Sequence, residues 1–117
     1  VHDSGYLTIG DNVQFNDHCQ IACGHRITIG STVLFASKVF ITDHDHRFSV
    51  EVGADFNQIA NPKETSIGDR CWIGNNVSIL KGVQIGAGSI IGAGTVVTKS
   101  VPENSVIVAQ AARTIAR

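Results

Sequence analysis

Several features that define other classes of protein are missing from this chain of 117 residues. No apolar run reaches the roughly 18 residues that a membrane-spanning helix needs, so we expect no membrane span. Nine basic and ten acidic residues are interspersed and give a formal charge of −1. Without a basic stripe, nucleic acid is not an expected partner. The chain begins with Val1 instead of methionine, which is consistent with N-terminal truncation and leaves any targeting sequence unreadable.

The chain has only three cysteines, which is an odd number: Cys19, Cys23 and Cys71. Two of them, Cys19 and Cys71, occupy positions that the pattern described below assigns to small inward-facing residues. We therefore predict free, buried thiols in a reducing compartment, and so a cytoplasmic protein.

A period of six residues is the strongest positive feature of the sequence. Large apolar residues recur at this spacing in three runs: Ile9, Phe15 and Ile21; Ile29, Phe35 and Ile41; and Ile67, Ile73, Ile79, Ile85, Ile91 and Val97. Four positions after ten of these twelve comes a small or β-branched residue: Val13, Cys19, Val33, Val39, Cys71, Val77, Val83, Ser89, Thr95 and Val101. Alternate side chains of a strand point to opposite faces, so these two positions can share one interior. A six-residue unit cannot bury its own core but stacked units can, and the period predicts a β-solenoid.

Three hexapeptides would close a triangular coil of eighteen residues, which is the separation of Ile67 and Ile85. We predict one domain over residues 1–117 with about four coils, which begin at Ile9, Ile29, Ile67 and Ile85. A long loop excursion covers about 43–66, and a short C-terminal tail covers about 103–117. A buried helix is disfavoured, because it needs apolar spacings of three and four and because the chain has twelve glycines.

Two segments resemble a known family. The stretch IGDRCWIGNNVSILKGVQIGAGSIIGAGTVVTKSVP, from Ile67 to Pro102, resembles the terminal coils of hexapeptide-repeat acyltransferases. The segment ASKVFITDHDH, from Ala36 to His46, resembles the galactoside and maltose acetyltransferase branch, especially enzymes that modify bacterial surface polysaccharides or lipopolysaccharide. The resemblance implies a left-handed parallel β-helix, whose handedness comes from the family alone. It also implies a homotrimer in which the excursion of one subunit closes over the groove of the next.

The resemblance further implies transfer of an acetyl group from acetyl-coenzyme A to a sugar hydroxyl, with the chemistry in Thr42–His46. Imidazole titrates near neutrality and can take a hydroxyl proton and later protonate the leaving thiolate. If this run is extended, His44 and His46 project to one side and the two aspartates to the other. Alignment with the family favours His46 as the general base and leaves His44 as the second candidate. Either Asp43 or Asp45, or a backbone carbonyl, would orient the ring.

The other site residues are also implied by the resemblance. Asn16 aligns with a substrate-contacting asparagine that would hold the acceptor hydroxyl or the oxyanion; the alternative is a turn asparagine that satisfies local backbone. The residues expected along the coenzyme are Trp72, Asn75, Ala93, Thr98 and Lys99, with Arg113 at the nucleotide phosphates.

Two other functions remain open alternatives. A zinc enzyme similar to the β-helical carbonic anhydrases would use histidines, but His44 and His46 are closer together than the ligands of that family. Cys19, Cys23 and His25 could be read as a metal cluster, although inward positions favour packing, and we expect no metal. A non-catalytic solenoid used for assembly would need no coenzyme groove. The sequence does not specify which sugar, or which hydroxyl or amine, accepts the acetyl group.

Overall fold

The computed structural model describes residues 1–110 and 116, apart from the side chains of residues 56 and 57. The described residues contain fifteen strands and no helix. In particular, they include no helix with the length and hydropathy needed to cross a membrane. The strands are β1 (Tyr6–Ile9), β2 (Val13–Phe15), β3 (Gln20–Ala22), β4 (Arg26–Ile29), β5 (Val33–Phe35), β6 (Phe40–Thr42), β7 (Asp45–Ser49), β8 (Gly53–Ala60), β9 (Thr65–Ile67), β10 (Trp72–Ile73), β11 (Ser78–Ile79), β12 (Gln84–Ile85), β13 (Ile90–Ile91), β14 (Val96–Val97) and β15 (Val106–Ile107).

Three parallel sheets form the sides of a β-helix. Sheet A has the order β1-β4-β9-β12, sheet B has β15-β13-β10-β5-β2, and sheet C has β14-β11-β6-β3. Each turn of the chain adds one strand to every sheet, which gives four complete coils. A bridge between Ile85 and Val101, followed by β15, begins a fifth. The predicted coil number is confirmed, and the predicted starting residues are the last residues of the four strands of sheet A.

The interior of the β-helix consists of the two residue classes that the six-residue period identifies. In register across the coils of sheet B, Phe15 pairs with Phe35, Phe35 with Ile73, and Ile73 with Ile91. The rings of Phe15 and Phe35 stack with centroids 4.6 Å apart. The first coil is less well covered than the second, since Ile9 is 41% exposed and its counterpart Ile29 is 1% exposed.

The chain bends at three corners of the triangle, and we name each corner by the sheets it joins. The A–B corner contains Gly68–Arg70, and the B–C corner contains Gly74–Asn76 and Gly92–Gly94. The C–A corner contains Cys23–His25, Asp43–His44, Leu80–Gly82 and Thr98–Ser100. The coils stack closely here: a Cβ at Gly74 would lie 2.7 Å from the backbone nitrogen of Ala93.

The predicted excursion leaves the second coil at its C–A corner and rejoins the helix at β9. Most of it is an antiparallel hairpin of β7 and β8, with a register irregularity between His46 and Arg47. The prediction of a loop was therefore wrong in this detail, because strand pairing satisfies the backbone of the excursion. At its base, Lys63 N donates to Asp43 O (2.8 Å) and Thr65 Oγ1 donates to Thr42 O (2.9 Å).

Candidate active site

The run Thr42–His46 bends as it leaves the C–A corner, so its side chains do not alternate. Asp43 and His44 are both buried, with 0% and 4% of their surface exposed. Asp45 and His46, which begin β7, are both exposed. The two imidazoles therefore occupy different environments, unlike the arrangement expected of an extended segment.

The carboxylate of Asp43 is held by the corner of the preceding coil. Its Oδ1 accepts from Gly24 N at 2.9 Å, and its Oδ2 accepts from His25 N at 2.8 Å. The Cys23 thiol lies 3.6 Å from Oδ2. Burial alone would raise the pKa of Asp43, but the hydrogen bonds from Gly24, from the His44 side chain and from two further backbone N–H groups outweigh it. The pKa is lowered overall, and the carboxylate is ionised at neutral pH.

The imidazole of His44 lies against this carboxylate. Its Nδ1 is 2.7 Å from Asp43 Oδ1. Two other rings meet it edge to face, with centroid separations of 5.3 Å for His2 and 5.5 Å for His46. Of the two aspartates considered as partners of an imidazole, Asp43 is the one that contacts this ring. An imidazole oriented through one nitrogen by a carboxylate can exchange a proton through the other.

Asp45, the other candidate partner, has a different contact. Its Oδ2 accepts from Lys81 Nζ at 2.6 Å. The hydrogen bond from Lys81 is the main cause that lowers the pKa of Asp45, and a hydrogen bond from Asn61 adds to it. Asp45 therefore joins the base of the hairpin to the third coil.

Asn16 lies at the B–C corner of the first coil. Its Nδ2 donates to Phe35 O at 3.1 Å, and its Oδ1 accepts from Gln14 Nε2 at 3.5 Å. This is the local backbone role that the sequence analysis gave as the alternative. One N–H of the exposed amide is not needed for the bond to Phe35, so the predicted contact with substrate remains a prediction.

Three of the predicted coenzyme residues lie together. Trp72, Asn75 and Ala93 line one surface cavity of about 250 Å³, whose lining also includes Ile91 and Gly92. Trp72 is 54% exposed on the outer face of sheet B. Asn75 is fixed at the B–C corner, where its Oδ1 accepts from Ser37 N at 2.9 Å.

The other two described residues that are predicted to contact the coenzyme lie elsewhere. Thr98 and Lys99 line a cavity of about 220 Å³ that includes the C–A corner, the same corner that carries His44. Arg113 lies outside the described residues. A more open cavity of about 770 Å³ along sheet A is lined by none of the predicted site residues. A single chain thus presents the predicted groups on two separate corners.

The cysteines are free thiols, as predicted; Cys23 and Cys71 are buried and Cys19 is half-buried. Burial is the main cause that raises the pKa of both buried thiols, so neither is a thiolate at neutral pH. Within residues 1–110 no three His, Cys, Asp or Glu side chains are arranged to hold a metal ion. The Cys19, Cys23 and His25 cluster and the zinc alternative gain no support.

The sequence reasoning missed the contribution of His2 and of the Cys23–His25 corner. His2 precedes β1 and its backbone N–H donates to Cys23 O at 2.8 Å, which keeps it beside His44. Residues 24 and 43 are nineteen apart, close to the length of one coil, so the coil register could have placed them together.

Residues 64–99 match the family described as bacterial transferase hexapeptide (six repeats). The chain is 40% identical, over 95% of its length and 60% of the relative, to an Escherichia coli K12 protein named as a lipopolysaccharide biosynthesis O-acetyl transferase. It is 36% identical to the galactoside O-acetyltransferase of the same strain, over 93% of the chain and 53% of that protein. The resemblance to the hexapeptide-repeat acyltransferases is confirmed. The chain spans about half to three-fifths of the length of these two relatives.

Solved structures of hexapeptide-repeat acyltransferases agree with the fold. A galactoside acetyltransferase in complex with coenzyme A has a TM-score of 0.78 and 36% identity, over 88% of this chain and 50% of that one. A hexapeptide-repeat acetyltransferase of Vibrio cholerae complexed with acetyl-coenzyme A has a TM-score of 0.77 and 31% identity, over 88% and 55%. The fold class is therefore the expected left-handed parallel β-helix.

Proposed function

We propose that this chain is part of an acyltransferase that moves an acetyl group from acetyl-coenzyme A, as a substrate, to a hydroxyl of a sugar. The observation that carries the proposal is the buried, fixed imidazole of His44 where the coil gives way to the hairpin. It occurs in a β-helix similar, over 88% of the chain, to structures that hold coenzyme A or acetyl-coenzyme A.

The geometry favours His44 over His46 as the general base. His44 is held on three sides, by Asp43 and by the rings of His2 and His46. His46 lies on the exposed hairpin strand β7, next to the register irregularity. A base works best when its geometry is fixed before the substrate arrives. The sequence alignment favoured His46, and that choice stays a prediction. The variants His44→Ala and His46→Ala distinguish the two assignments.

The division of the coenzyme residues supports the predicted homotrimer. Trp72, Asn75 and Ala93 lie at one corner, and Thr98, Lys99 and His44 lie at another. If neighbouring copies bring the B–C corner of one chain against the C–A corner of the next, a single acyl donor contacts both groups. Cyclic closure of this kind uses the same pair of surfaces at every interface.

The reaction that we propose transfers one proton in each direction. His44 Nε2 takes the proton of the sugar hydroxyl while the hydroxyl oxygen forms a bond to the carbonyl carbon of the thioester. The exposed amide of Asn16, or backbone N–H groups, stabilise the resulting oxyanion. The carbon–sulfur bond then breaks, and His44 returns the proton to the sulfur, which gives an acetyl ester and free coenzyme A.

The acceptor that we propose is a precursor of a bacterial surface polysaccharide or lipopolysaccharide. This follows from the name of the Escherichia coli relative, and a second relative, 32% identical, is named for colanic acid biosynthesis. A coenzyme A donor and three free thiols fit the cytoplasm as the compartment.

The matched variants His44→Ala and His46→Ala test the assignment. Acetyl transfer is measured by mass spectrometry of the sugar product, with a panel of galactosides, maltose and polysaccharide precursors. We expect His44→Ala to lower kcat at least about 100-fold while acetyl-coenzyme A still binds, and His46→Ala to lower it less than about tenfold. The opposite order would assign the base to His46. Near-normal kcat in both variants would refute an imidazole mechanism.

A thermal-shift titration of the wild-type protein separates the enzyme from an assembly platform. A ligand that binds the native state raises the melting temperature with its concentration. We expect acetyl-coenzyme A to raise it and Zn²⁺ to leave it unchanged. A flat response to acetyl-coenzyme A would favour the non-catalytic solenoid.

A further inference from the structure

We propose that residues 1–5 form a movable cover over the imidazole of His44, and that this segment lifts from the C–A corner before a sugar hydroxyl reaches the ring. The inference rests on the proposed function and adds to it the control of access to the candidate base. Residues 1–5 have no part in the reaction proposed above.

The side chain of His44 is enclosed in the folded chain, with only 1% of its surface exposed. Gly24 and Ile59 lie against it: a Cβ at Gly24 would be 3.0 Å from His44 Nδ1 and 3.0 Å from two carbons of Ile59. The rings of His2 and His46 meet it edge to face, with centroids 5.3 and 5.5 Å away. His2 is half-buried and His46 is exposed, so these two rings lie between His44 and the solvent. A substrate hydroxyl therefore reaches the ring only when one of them moves.

The half of the cover that contains His2 is weakly held. Residues 1–5 precede the first strand and contact the corner through a few hydrogen bonds. His2 N donates to Cys23 O at 2.8 Å, and Ser4 Oγ donates to Gly24 O at 2.7 Å. Three of the five residues are exposed and none is buried. A segment with few buried contacts and exposed hydrogen bonds opens at a low cost in free energy.

The half that contains His46 is held more firmly. His46 pairs with Ile59 in the antiparallel ladder of β7 and β8. The preceding residue, Asp45, accepts a hydrogen bond from Lys81 Nζ at 2.6 Å. Movement of the backbone at His46 would break strand pairing, whereas movement of residues 1–5 breaks none. The segment of residues 1–5 is therefore the half that opens.

Ser4→Ala is the direct test, and Lys81→Ala is its matched control. Each removes one anchoring contact from one half of the cover and leaves all three imidazoles in place. The readout is the rate at which diethylpyrocarbonate, which modifies exposed unprotonated imidazoles, labels each histidine, followed by mass spectrometry. In the wild type we expect His44 to react at least about tenfold more slowly than the exposed His25.

The two variants should differ in the labelling of His44. Ser4→Ala should raise its rate about fivefold, which is the factor that loss of one hydrogen bond of typical net strength gives in an equilibrium constant. Lys81→Ala should change the rate less than about twofold, because its ion pair is on the other half of the cover. An unchanged rate in Ser4→Ala, or a larger increase in Lys81→Ala, would overturn the proposal. A wild-type His44 that reacts as fast as His25 would do the same.

His2→Ala removes the covering ring itself and should raise the labelling rate of His44 at least about tenfold. Alkylation of the Cys71 thiol by iodoacetamide reports on the fold, because Cys71 is 2% exposed and lies away from the corner. This thiol should stay unmodified in all three variants. If it reacts in His2→Ala, that variant has lost its fold, and Ser4→Ala, which keeps every ring, decides the question.

The cover also predicts a change in the kinetics. A site that is open for only part of the time shows an apparent affinity reduced by the open fraction. Ser4→Ala should therefore lower the KM for the sugar that the panel identifies by about fivefold. An unchanged KM together with a more reactive His44 would mean that the acceptor enters without movement of residues 1–5, and the proposal would be wrong.

Failure of the cover and failure of the proposed function can be told apart. If His44→Ala is inactive and Ser4→Ala leaves the labelling of His44 unchanged, the base stands and only the cover fails. If His44→Ala is itself active, the proposed function fails at the base, whatever the labelling shows.

Discussion

Replacement of Trp72 by alanine should weaken the binding of acetyl-coenzyme A by a predictable amount. Trp72 is 54% exposed on the outer face of sheet B and lines the cavity that contains Asn75 and Ala93. A tryptophan side chain offers roughly 250 Å² of surface, so about 130 Å² is available to a ligand. If the pantetheine arm covers about half of this area, the contact contributes about 1.6 kcal/mol at about 25 cal/mol per Å². The expected increase in Kd is then about 15-fold.

The assay is isothermal titration calorimetry of acetyl-coenzyme A against the wild-type protein and Trp72→Ala. In the wild type, quenching of intrinsic fluorescence gives a second measurement, because Trp72 is the only tryptophan. Tyr6→Ala is the matched control: Tyr6 is an aromatic residue, 68% exposed, on the outer face of a different sheet. An unchanged Kd for Trp72→Ala, or an equal loss for Tyr6→Ala, would refute the placement of the coenzyme on sheet B.

Three further predictions concern stability, each measured by urea unfolding. Because the pKa of Asp43 is lowered in the folded state, its contribution is present above the unfolded value of about 3.9 and is lost as pH falls through the folded value. Asp43→Asn should therefore be less stable than wild type at pH 7, and the difference should shrink at pH 3; a constant difference would contradict this. Phe35→Ala, at a fully buried position, should cost about 3–5 kcal/mol, and a cost below that of the half-exposed Leu34→Ala would contradict the core assignment. Lys81→Ala, which breaks the exposed pair with Asp45, should cost no more than about 1 kcal/mol and less in high salt; a larger, salt-independent cost would contradict this.

The fold could be predicted from the sequence because apolar residues repeat every six positions. A six-residue period can be recognised within a short stretch of sequence. The inward residues of every coil face the same interior. The small or β-branched class was therefore predicted in detail, and Val77, Val83 and Ser89 are all buried as expected. The excursion was found where the period stops, but its hairpin was not, because pairing of β7 with β8 depends on contacts that the period does not describe.

The site was predicted less completely than the fold. The sequence pointed to the run Thr42–His46 as the candidate site and treated it as extended, whereas His44 is buried and His46 is exposed. That separation depends on the Gly24–His25 corner one coil away and on His2 before the first strand. Such contacts join residues about 20 and 40 positions apart, so they appear only when the coils are stacked. The residues predicted to contact the coenzyme were treated as one set, and the described ones lie at two corners. Their order in the sequence does not reveal which side of the triangle each one occupies.

A crystal structure of the assembled protein with coenzyme A tests the central claim most directly. The account predicts a coenzyme that lies between two copies, against Trp72 of one and Thr98 and Lys99 of the other. The coenzyme sulfur should lie beside His44 Nε2, roughly 3–3.5 Å from the position where the sugar hydroxyl reacts. A coenzyme bound elsewhere, or a sulfur beside His46 with His44 sealed from it in every copy, would contradict the account.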